Sequence, residues 1–285
     1  MKSGFVSLIG HPNVGKSTII NLLSDKKVSI VTSKAQTTRN NIISIIDSKD
    51  YQIIITDTPG LHNPRNVLSK SMNKKVYDAI DEADINVLVV SSKEDINEEN
   101  FAVFLKKKID IIVLNKIDLA RLPEINVIKE KINKLFSKSL LIEMSAKDGF
   151  NKGTLLNEII IRLKKGPKYY PDVNVIKDDI FYTKEIIREK ILKLLKEEVP
   201  HNIAIYLKDI RRKKESVYII ANIIVNKESQ KGIVIGKKGT MLKKIGTLSR
   251  KDLEEYFKKR IFLEIHVKVK EDWINSAKDI KEFGY

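Results

Sequence analysis

Gly10-His11-Pro12-Asn13-Val14-Gly15-Lys16-Ser17 is the stretch of this 285-residue sequence that decides the fold. It fits the pattern G-x-x-x-x-G-K-[ST], follows an apolar run at residues 5–9 and precedes helical apolar spacing at residues 17–23. Backbone N–H groups of a glycine-rich loop and the N-terminus of the following helix together bind phosphates. All eight residues are therefore candidate phosphate-binding residues, with Lys16 expected at the β- and γ-phosphates and Ser17 at Mg²⁺.

Ile- and Val-rich runs alternate with helical patterns on the C-terminal side of this loop. Strands are predicted at residues 42–46, 51–56, 86–90, 110–114 and 140–144, and helices at 69–83, 97–107, 123–136 and 153–163. Strands that alternate with helices build a sheet covered on both faces. We predict an α/β domain with a mixed and mostly parallel sheet.

A second motif, Asp57-Thr58-Pro59-Gly60, directly follows a predicted strand. Open α/β sheets bind their ligands at the carboxyl ends of strands, so this segment is expected beside the first loop. Asp57 would hold Mg²⁺ through water, and the Gly60 N–H would contact the γ-phosphate. The four residues and the adjacent Leu61 are candidates for the phosphate site.

Two further motifs follow later strands and predict the base that is bound. They are Asn115-Lys116-Ile117-Asp118 and Ser145-Ala146-Lys147. A carboxylate such as Asp118 offers two acceptors for the N1 and N2 donors of guanine, whereas adenine presents no such pair. The Ala146 N–H would meet the guanine carbonyl, so all seven residues are candidate guanine-binding residues and GTP is favoured over ATP.

Two prolines and a glycine within residues 164–171 mark a domain boundary. We predict a GTPase domain at residues 1–166, a linker at 167–181 and a second domain at 182–285. The second domain has the element order α-β-β-α-α-β, with its helices at residues 183–198, 230–235 and 240–257 and its strands at 203–210, 217–225 and 261–269. A last short helix is expected from about residue 272.

A G-x-x-G sequence joins the last two helices of that order. Such a loop in KH domains clamps about four nucleotides of single-stranded RNA. The candidate RNA-binding residues are Val234, Ile235, Gly236, Lys237, Lys238, Gly239 and Lys243, with Ile223, Val234 and Ile235 as an apolar floor under the bases. The alternative is an ordinary helix-loop-helix with solvated lysines.

Charge supports an RNA-binding surface in the same segment. The chain has 53 Lys and Arg against 37 Asp and Glu, and residues 230–260 contain 10 basic against 3 acidic residues. Composition bias alone is an alternative cause of the overall charge of +16.

Composition excludes several other classes of function. The sequence has no cysteine, which excludes disulfides, thiolate metal sites and cysteine nucleophiles. No apolar run approaches the ~20 residues of a membrane span, and the N-terminus lacks a signal-peptide core. A cytoplasmic protein is expected. The four histidines lack metal-ligand spacing, and Trp273 is expected to anchor the terminal helix, with stacking on a base as the alternative.

These motifs, together with Ala35-Gln36-Thr37-Thr38-Arg39, resemble those of the Era family of bacterial GTPases over the whole chain. The resemblance implies a P-loop NTPase domain of the Ras-like GTPase type, followed by an α+β type II KH domain. It makes Thr38 the threonine that caps Mg²⁺, with Thr37 as the alternative, and gives the catalytic set Lys16, Thr38, Asp57 and Gly60. It also implies binding to the 3′ end of 16S ribosomal RNA, a role in assembly of the 30S subunit, a monomer, and peripheral contact with the inner membrane.

Two positions predict how hydrolysis is controlled. Leu61 stands where regulatory GTPases carry a water-orienting glutamine, so slow intrinsic hydrolysis is expected. Asn13 resembles the asparagine that helps hold K⁺ in related GTPases. Two alternatives to the proposed class are an RNA-binding assembly factor that uses GTP only structurally and a related GTPase that acts on tRNA.

Overall fold

The computed structural model describes residues 1–24, 38–171, 178–195 and 199–285. The chain divides into two compact units, one of Met1–Pro64 and Ser69–Val173, the other of Arg65–Leu68 and Asn174–Tyr285. Within the described ranges, no helix is long and apolar enough to cross a membrane.

The N-terminal unit contains a seven-stranded sheet whose main path runs β2-β3-β1-β4-β5-β6. Strand β2 is antiparallel to β3, and the other strands of this path are parallel. The strands are β1 (Lys2–Ile9), β2 (Ile42–Asp47), β3 (Tyr51–Asp57), β4 (Ile85–Ser91), β5 (Ile111–Asn115), β6 (Leu140–Glu143) and the short β7 (Lys164–Lys165), which pairs antiparallel with β1.

Helices cover both faces of this sheet because its central strands are apolar on both sides. One core cluster joins β-strand residues such as Val87 to α1 (Lys16–Leu23) and α5 (Lys152–Arg162). On the other face, strand residues such as Leu88 pack with three helices: α2 (Val67–Glu82), α3 (Glu98–Leu105) and α4 (Leu122–Leu135). The predicted α/β fold with a mixed, mostly parallel sheet is confirmed.

The segment after β7 remains bound to this unit. The Gln52 side chain accepts hydrogen bonds from the N–H groups of Tyr169 and Tyr170, each at 3.0 Å, and donates to the Tyr170 carbonyl at 2.9 Å. Lys168 forms an ion pair with Asp47 at 2.7 Å. The first residues of the predicted linker therefore pack on the sheet of the N-terminal unit, and the boundaries at 166 and 182 stay a prediction.

The C-terminal unit has the element order predicted from the sequence. Its elements are α6 (Asp179–Leu194), β8 (Ala204–Arg212), β9 (Ser216–Val225), α7 (Glu228–Ile235), α8 (Thr240–Phe257), β10 (Arg260–Val269) and α9 (Ala277–Phe283). The sheet order is β10-β9-β8, with β9 parallel to β10 and antiparallel to β8. Helices α6, α7 and α8 pack on one face of it. This is the α+β arrangement expected of a type II KH domain.

Trp273 lies at the end of the C-terminal unit and is completely buried. Its indole N–H donates to the Asn202 carbonyl at 3.2 Å, and its ring contacts Phe283 of α9 edge-on. The interpretation of Trp273 as an anchor is confirmed. Stacking of Trp273 on a base is excluded by its burial.

Candidate functional site

The phosphate-loop residues connect the carboxyl end of β1 to the start of α1. Gly10, Asn13 and Gly15 have positive φ angles of 145°, 64° and 107°, which fold the chain around the Lys16 side chain. Lys16 Nζ donates to the carbonyls of Gly10 at 3.0 Å and His11 at 2.8 Å. Burial lowers the pKa of Lys16 to about 8, against the opposing attraction of Asp57 and Glu94. The loop thus encloses the Lys16 ammonium group, whose charged form is less stable there than in water.

Three oxygen atoms converge beside this loop in the geometry of a small cation site. The Ser17 hydroxyl donates to Asp57 Oδ2 at 2.7 Å and lies 3.1 Å from the Thr38 hydroxyl, which is itself 3.4 Å from Asp57 Oδ2. Adjacent ligands of an octahedral Mg²⁺ with bonds of 2.0–2.1 Å lie about 2.9 Å apart. The Ser17–Thr38 separation therefore fits two directly bound ligands, and the Asp57 carboxylate lies next to both hydroxyls, where it can hold the ion through water. Thr37 lies outside the described residues.

The residues after Asp57 pack tightly against the phosphate loop. Thr58 is fully buried, and its hydroxyl donates to the Leu8 carbonyl at 2.8 Å. Gly60 approaches Pro12 so closely that a Cβ at this position would lie 2.6 Å from the proline nitrogen. The Leu61 N–H donates to the Gly10 carbonyl at 3.1 Å, and its side chain is buried in the core. Leu61 thus contributes only backbone groups to this region.

Asn115 connects the phosphate loop with the segment after β6. Its side-chain amide donates to the Val14 carbonyl at 2.8 Å, and its side-chain oxygen accepts the Ala146 N–H at 3.0 Å. Lys116 adopts a left-handed conformation, and its ammonium group donates to the Asn13 carbonyl. Residues more than 100 positions apart are held in one site by these bonds.

The predicted guanine-binding side chains form a second part of the same site. Ser145 Oγ donates to Asp118 Oδ1 at 2.9 Å and is 2.7 Å from Asp148 Oδ2. Asp118 and Lys147 are exposed, whereas Ile117 packs against the core of the sheet. The Ala146 N–H, expected at the guanine carbonyl, is bonded to Asn115 in this structure. Ser145 therefore holds the Asp118 carboxylate in place while that carboxylate stays open to solvent, just after the two residues that contact the phosphate loop.

The G-x-x-G loop of the C-terminal unit turns sharply between α7 and α8. Gly236 has φ +74°, and a Cβ there would lie 2.6 Å from Met241 Cβ, so a residue without a side chain is needed. Lys237 and Lys238 are exposed between the two glycines. The predicted basic clamp is therefore accessible to a phosphate backbone.

The apolar floor predicted for this clamp is wrong at two positions. Val234 and Ile223 are completely buried in the same core, because Ile223 of β9 faces the helices and Val234 of α7 packs against the sheet. Neither side chain can contact RNA. Ile235 is half-buried. A groove of about 800 Å³ instead runs from Gly239 along α8 to β10, with Leu242, Lys243, Gly246 and Ile265 in its lining.

Comparisons with known proteins match both domains. A family model described as "50S ribosome-binding GTPase" matches residues 5–116, and a KH domain model matches residues 190–274. The chain is 42% identical to GTPase Era of Clostridium acetobutylicum, covering 100% of this chain and 98% of the relative. It is 41% identical to GTPase Era of Syntrophus aciditrophicus, covering 100% and 95%.

The chain belongs to the GTPase Era family. It is also similar to a crystal structure of an Aquifex aeolicus Era variant bound to GDP·AlF4⁻, at 34% identity and a TM-score of 0.94, covering 100% of this chain and 99% of the other. An Era structure in complex with MgGDPNP and nucleotides 1506–1542 of 16S ribosomal RNA has 34% identity, a TM-score of 0.93 and the same coverage.

Membership of the Era family makes this chain a GTPase that binds RNA. The alternative of a factor that uses GTP only structurally is therefore wrong. Since the relatives match along their full length, both the GTPase and the KH units belong to the Era architecture.

Glu94 is a residue of the Era nucleotide site that the sequence motifs did not reveal. Its carboxylate lies 2.8 Å from His11 Nδ1 and accepts the Ser91 N–H at 2.5 Å. The His11 ring packs edge-on against Phe101 and Phe104. Glu94 thus supports the phosphate loop from the turn after β4. The sequence around Glu94 contains no motif that predicts this contact.

Proposed function

We propose that this GTPase binds the 3′ end of 16S ribosomal RNA and acts in assembly of the 30S subunit and maturation of its RNA. The observation that carries the proposal is the presence, on one chain, of a guanine-nucleotide site and an accessible G-x-x-G clamp. The Era relative that carries 16S nucleotides matches the whole chain. The family model that mentions the 50S subunit matches only residues 5–116, which lack the clamp.

In the proposed nucleotide site, the loop from Gly10 to Ser17 binds the phosphates, with Lys16 at the β- and γ-phosphates. Ser17, Thr38 and Asp57 are assigned to Mg²⁺, on the convergence of their oxygens. Bound Mg²⁺ neutralises charge on the β- and γ-phosphates. The segment from Asp57 to Leu61 contributes backbone groups, with the Gly60 N–H facing the γ-phosphate.

Catalysis in this proposal rests on positioning and on charge stabilisation. Water attacks the γ-phosphate in line with the bond to the leaving oxygen of GDP, and phosphate is released. Lys16 stabilises the negative charge that develops on the transferred group. Because Leu61 is buried and aliphatic, no side chain at this position orients the water, and intrinsic turnover is expected to be slow. We assign K⁺ near Asn13 as a second source of positive charge.

The base and the RNA are bound by separate groups of residues. Asn115 to Asp118 and Ser145 to Lys147 are assigned to guanine, since their side chains meet beside the phosphate loop. RNA is assigned to Ile235 through Gly239 and to Lys243, with Val234 supporting the loop from the core. The proposed protein is a cytoplasmic monomer whose nucleotide state controls RNA binding. Peripheral contact with a membrane stays a prediction.

The proposal is tested by crosslinking the full-length protein to ribosomal RNA with GTP or GDP bound and mapping the contacts. Crosslinks between residues 235–243 and the 3′ end of 16S ribosomal RNA are expected, and depletion in cells should cause precursor 16S RNA to accumulate. A Lys237→Glu/Lys238→Glu variant serves as the control. Crosslinks mainly to tRNA or to large-subunit RNA would contradict the assignment.

A further inference from the structure

The face of the C-terminal sheet opposite α6, α7 and α8 carries two exposed aromatic rings. Tyr218 of β9 and Phe262 of β10 are direct partners in the parallel register. Their rings stack with centroids 4.5 Å apart and an interplanar angle of 9°, and they remain 37% and 40% exposed. A stacked pair that is partly open to water offers its ring edges and its two outer faces to a partner, rather than forming a packed core.

Two cations flank this pair, one over each ring. Lys213 Nζ lies 4.8 Å from the Tyr218 ring centroid, and the Arg260 guanidinium carbon lies 5.2 Å from the Phe262 ring centroid. Arg211 of β8 is the register partner of Tyr218 on its other side. We call Arg211, Lys213, Tyr218, Arg260 and Phe262 the aromatic patch.

Two loops concentrate positive charge around the aromatic patch. Lys259 Nζ donates to the Lys213 carbonyl at 3.2 Å, and the Arg260 N–H donates to the Glu215 carbonyl at 3.3 Å, so the loops are adjacent. Residues 211–215 and 258–260 contain seven exposed basic side chains and one acidic side chain, a net of 7 − 1 = +6. This charge is separate from Lys237 and Lys238 and suits a polyanionic partner.

The acidic neighbours limit the patch on one side. Asp209 and Glu264 are both register partners of Ile220, one row further along the strands. Asp209 accepts from Arg211 at 2.5 Å, and Glu264 lies 2.6 Å from His266 Nε2. A polyanion on the patch is therefore expected to follow the end of the sheet formed by residues 211–216 and 258–260.

The aromatic patch is continuous with the groove of the G-x-x-G loop. Arg211, Lys213, Tyr218 and Phe262 line the same cavity as Gly239, Leu242 and Lys243. A strand clamped at residues 236–239 can thus continue over β10 to the two rings. Every RNA base has a face that stacks on aromatic side chains, and cations beside the rings attract the flanking phosphates.

We propose that the aromatic patch is a second contact site for single-stranded RNA, in which a base stacks on the outer face of Tyr218 or Phe262 and displaces Lys213 or Arg260 from that ring onto an adjacent phosphate. The inference rests on the proposed RNA binding and extends it from a clamp of about four nucleotides to a longer strand. It predicts that RNA length, rather than the clamped sequence alone, determines affinity.

The test compares a tetra-adenylate with a dodeca-adenylate and with 16S nucleotides 1506–1542, using full-length protein. Tyr218→Leu and Phe262→Leu should weaken binding of the two longer RNAs by about 5- to 150-fold, the range for loss of one stacked base, and leave the tetranucleotide unaffected. Tyr218→Phe should bind like wild type. Tyr169→Leu, which removes an exposed ring of the N-terminal unit, is the matched control.

The outcomes separate this inference from the proposed function. If wild-type protein binds none of the RNAs, RNA binding itself fails. If it binds them and the Leu variants bind the dodecamer like wild type, or lose all RNAs equally, the patch is not a stacking site. Photocrosslinking of wild-type protein with 4-thiouridine in the dodecamer does not depend on variants: crosslinks at Tyr218 or Phe262 support the site, and crosslinks confined to residues 235–243 overturn it.

Discussion

Lys16 has a lowered pKa because burial in the phosphate loop removes its ammonium group from water, an effect that outweighs the attraction of Asp57 and Glu94. With the pKa at about 8, most Lys16 side chains carry a proton below pH 8 and lose it above. Phosphate groups favour the protonated form. Nucleotide affinity should therefore be steady below pH 8 and fall as the pH rises through 8.

We expect the Kd for GDP to rise about tenfold between about pH 7 and about pH 9, because the protonated fraction of a group with this pKa falls by that factor. Fluorescent GDP titrations at fixed ionic strength measure it. Lys16→Arg is the control, since arginine stays charged at every pH in this range. Any pH dependence that remains in this variant comes from titration of the nucleotide itself. An equal pH dependence in both proteins would contradict the role of Lys16.

Asn13 occupies a left-handed position in the loop, and its carbonyl accepts the Lys116 ammonium. If K⁺ contributes positive charge near Asn13, the GTPase rate should be several-fold higher in K⁺ than in Na⁺. Asn13→Asp should bring this ratio to about one. Steady-state phosphate release in the two salts measures it, and an unchanged ratio well above one in the variant would exclude Asn13 from K⁺ binding.

At the scale of elements, both sites form where loops leave regular structure. In the N-terminal unit, β1, β3, β5 and β6 end at the same edge of the sheet, so their loops meet there. In the C-terminal unit, the turn at Gly236 joins α7 to α8 and exposes its lysines. The chemistry depends on these junctions more than on the interiors of the elements.

The two exposed lysines of the α7–α8 loop are expected to contribute to the salt dependence of RNA binding. Lys237→Glu/Lys238→Glu should weaken RNA binding and reduce the slope of log affinity against log salt by about 1.4, since each of the two single-strand phosphate contacts contributes about 0.7. GTP binding should not change. Lys134→Glu/Lys138→Glu, the same charge change on exposed lysines of the N-terminal unit, is the control. Equal effects of the two double variants would show that Lys237 and Lys238 have no specific role in RNA binding, and that their charge reflects the basic composition of the chain.

At the scale of the whole molecule, two binding activities share one chain. Linkage requires that any effect of nucleotide on RNA affinity be matched by an equal effect of RNA on nucleotide affinity. We expect the RNA Kd to differ by about five-fold or more between GDP and a non-hydrolysable GTP analogue. Titrating labelled 16S nucleotides 1506–1542 with each nucleotide bound measures this. Identical affinities would show that the two activities are independent.

The sequence by itself determined the two folds and most of the candidate residues, because each motif is a short contiguous segment with one local task. A phosphate loop needs Gly10, Gly15, Lys16 and Ser17 close together in the chain, and a G-x-x-G turn needs glycine at φ +74°. The strand and helix periods also appear within single segments.

Only the tertiary structure decided which side chains meet across long separations. It brought Thr38 to Ser17 and Asp57, Asn115 to Val14, and Glu94 to His11. It also buried Val234, which the motif had placed in the RNA groove, and paired Tyr218 with Phe262 across two strands. Periodicity predicts that a residue is buried or exposed on its own element, whereas packing between elements decides what it faces.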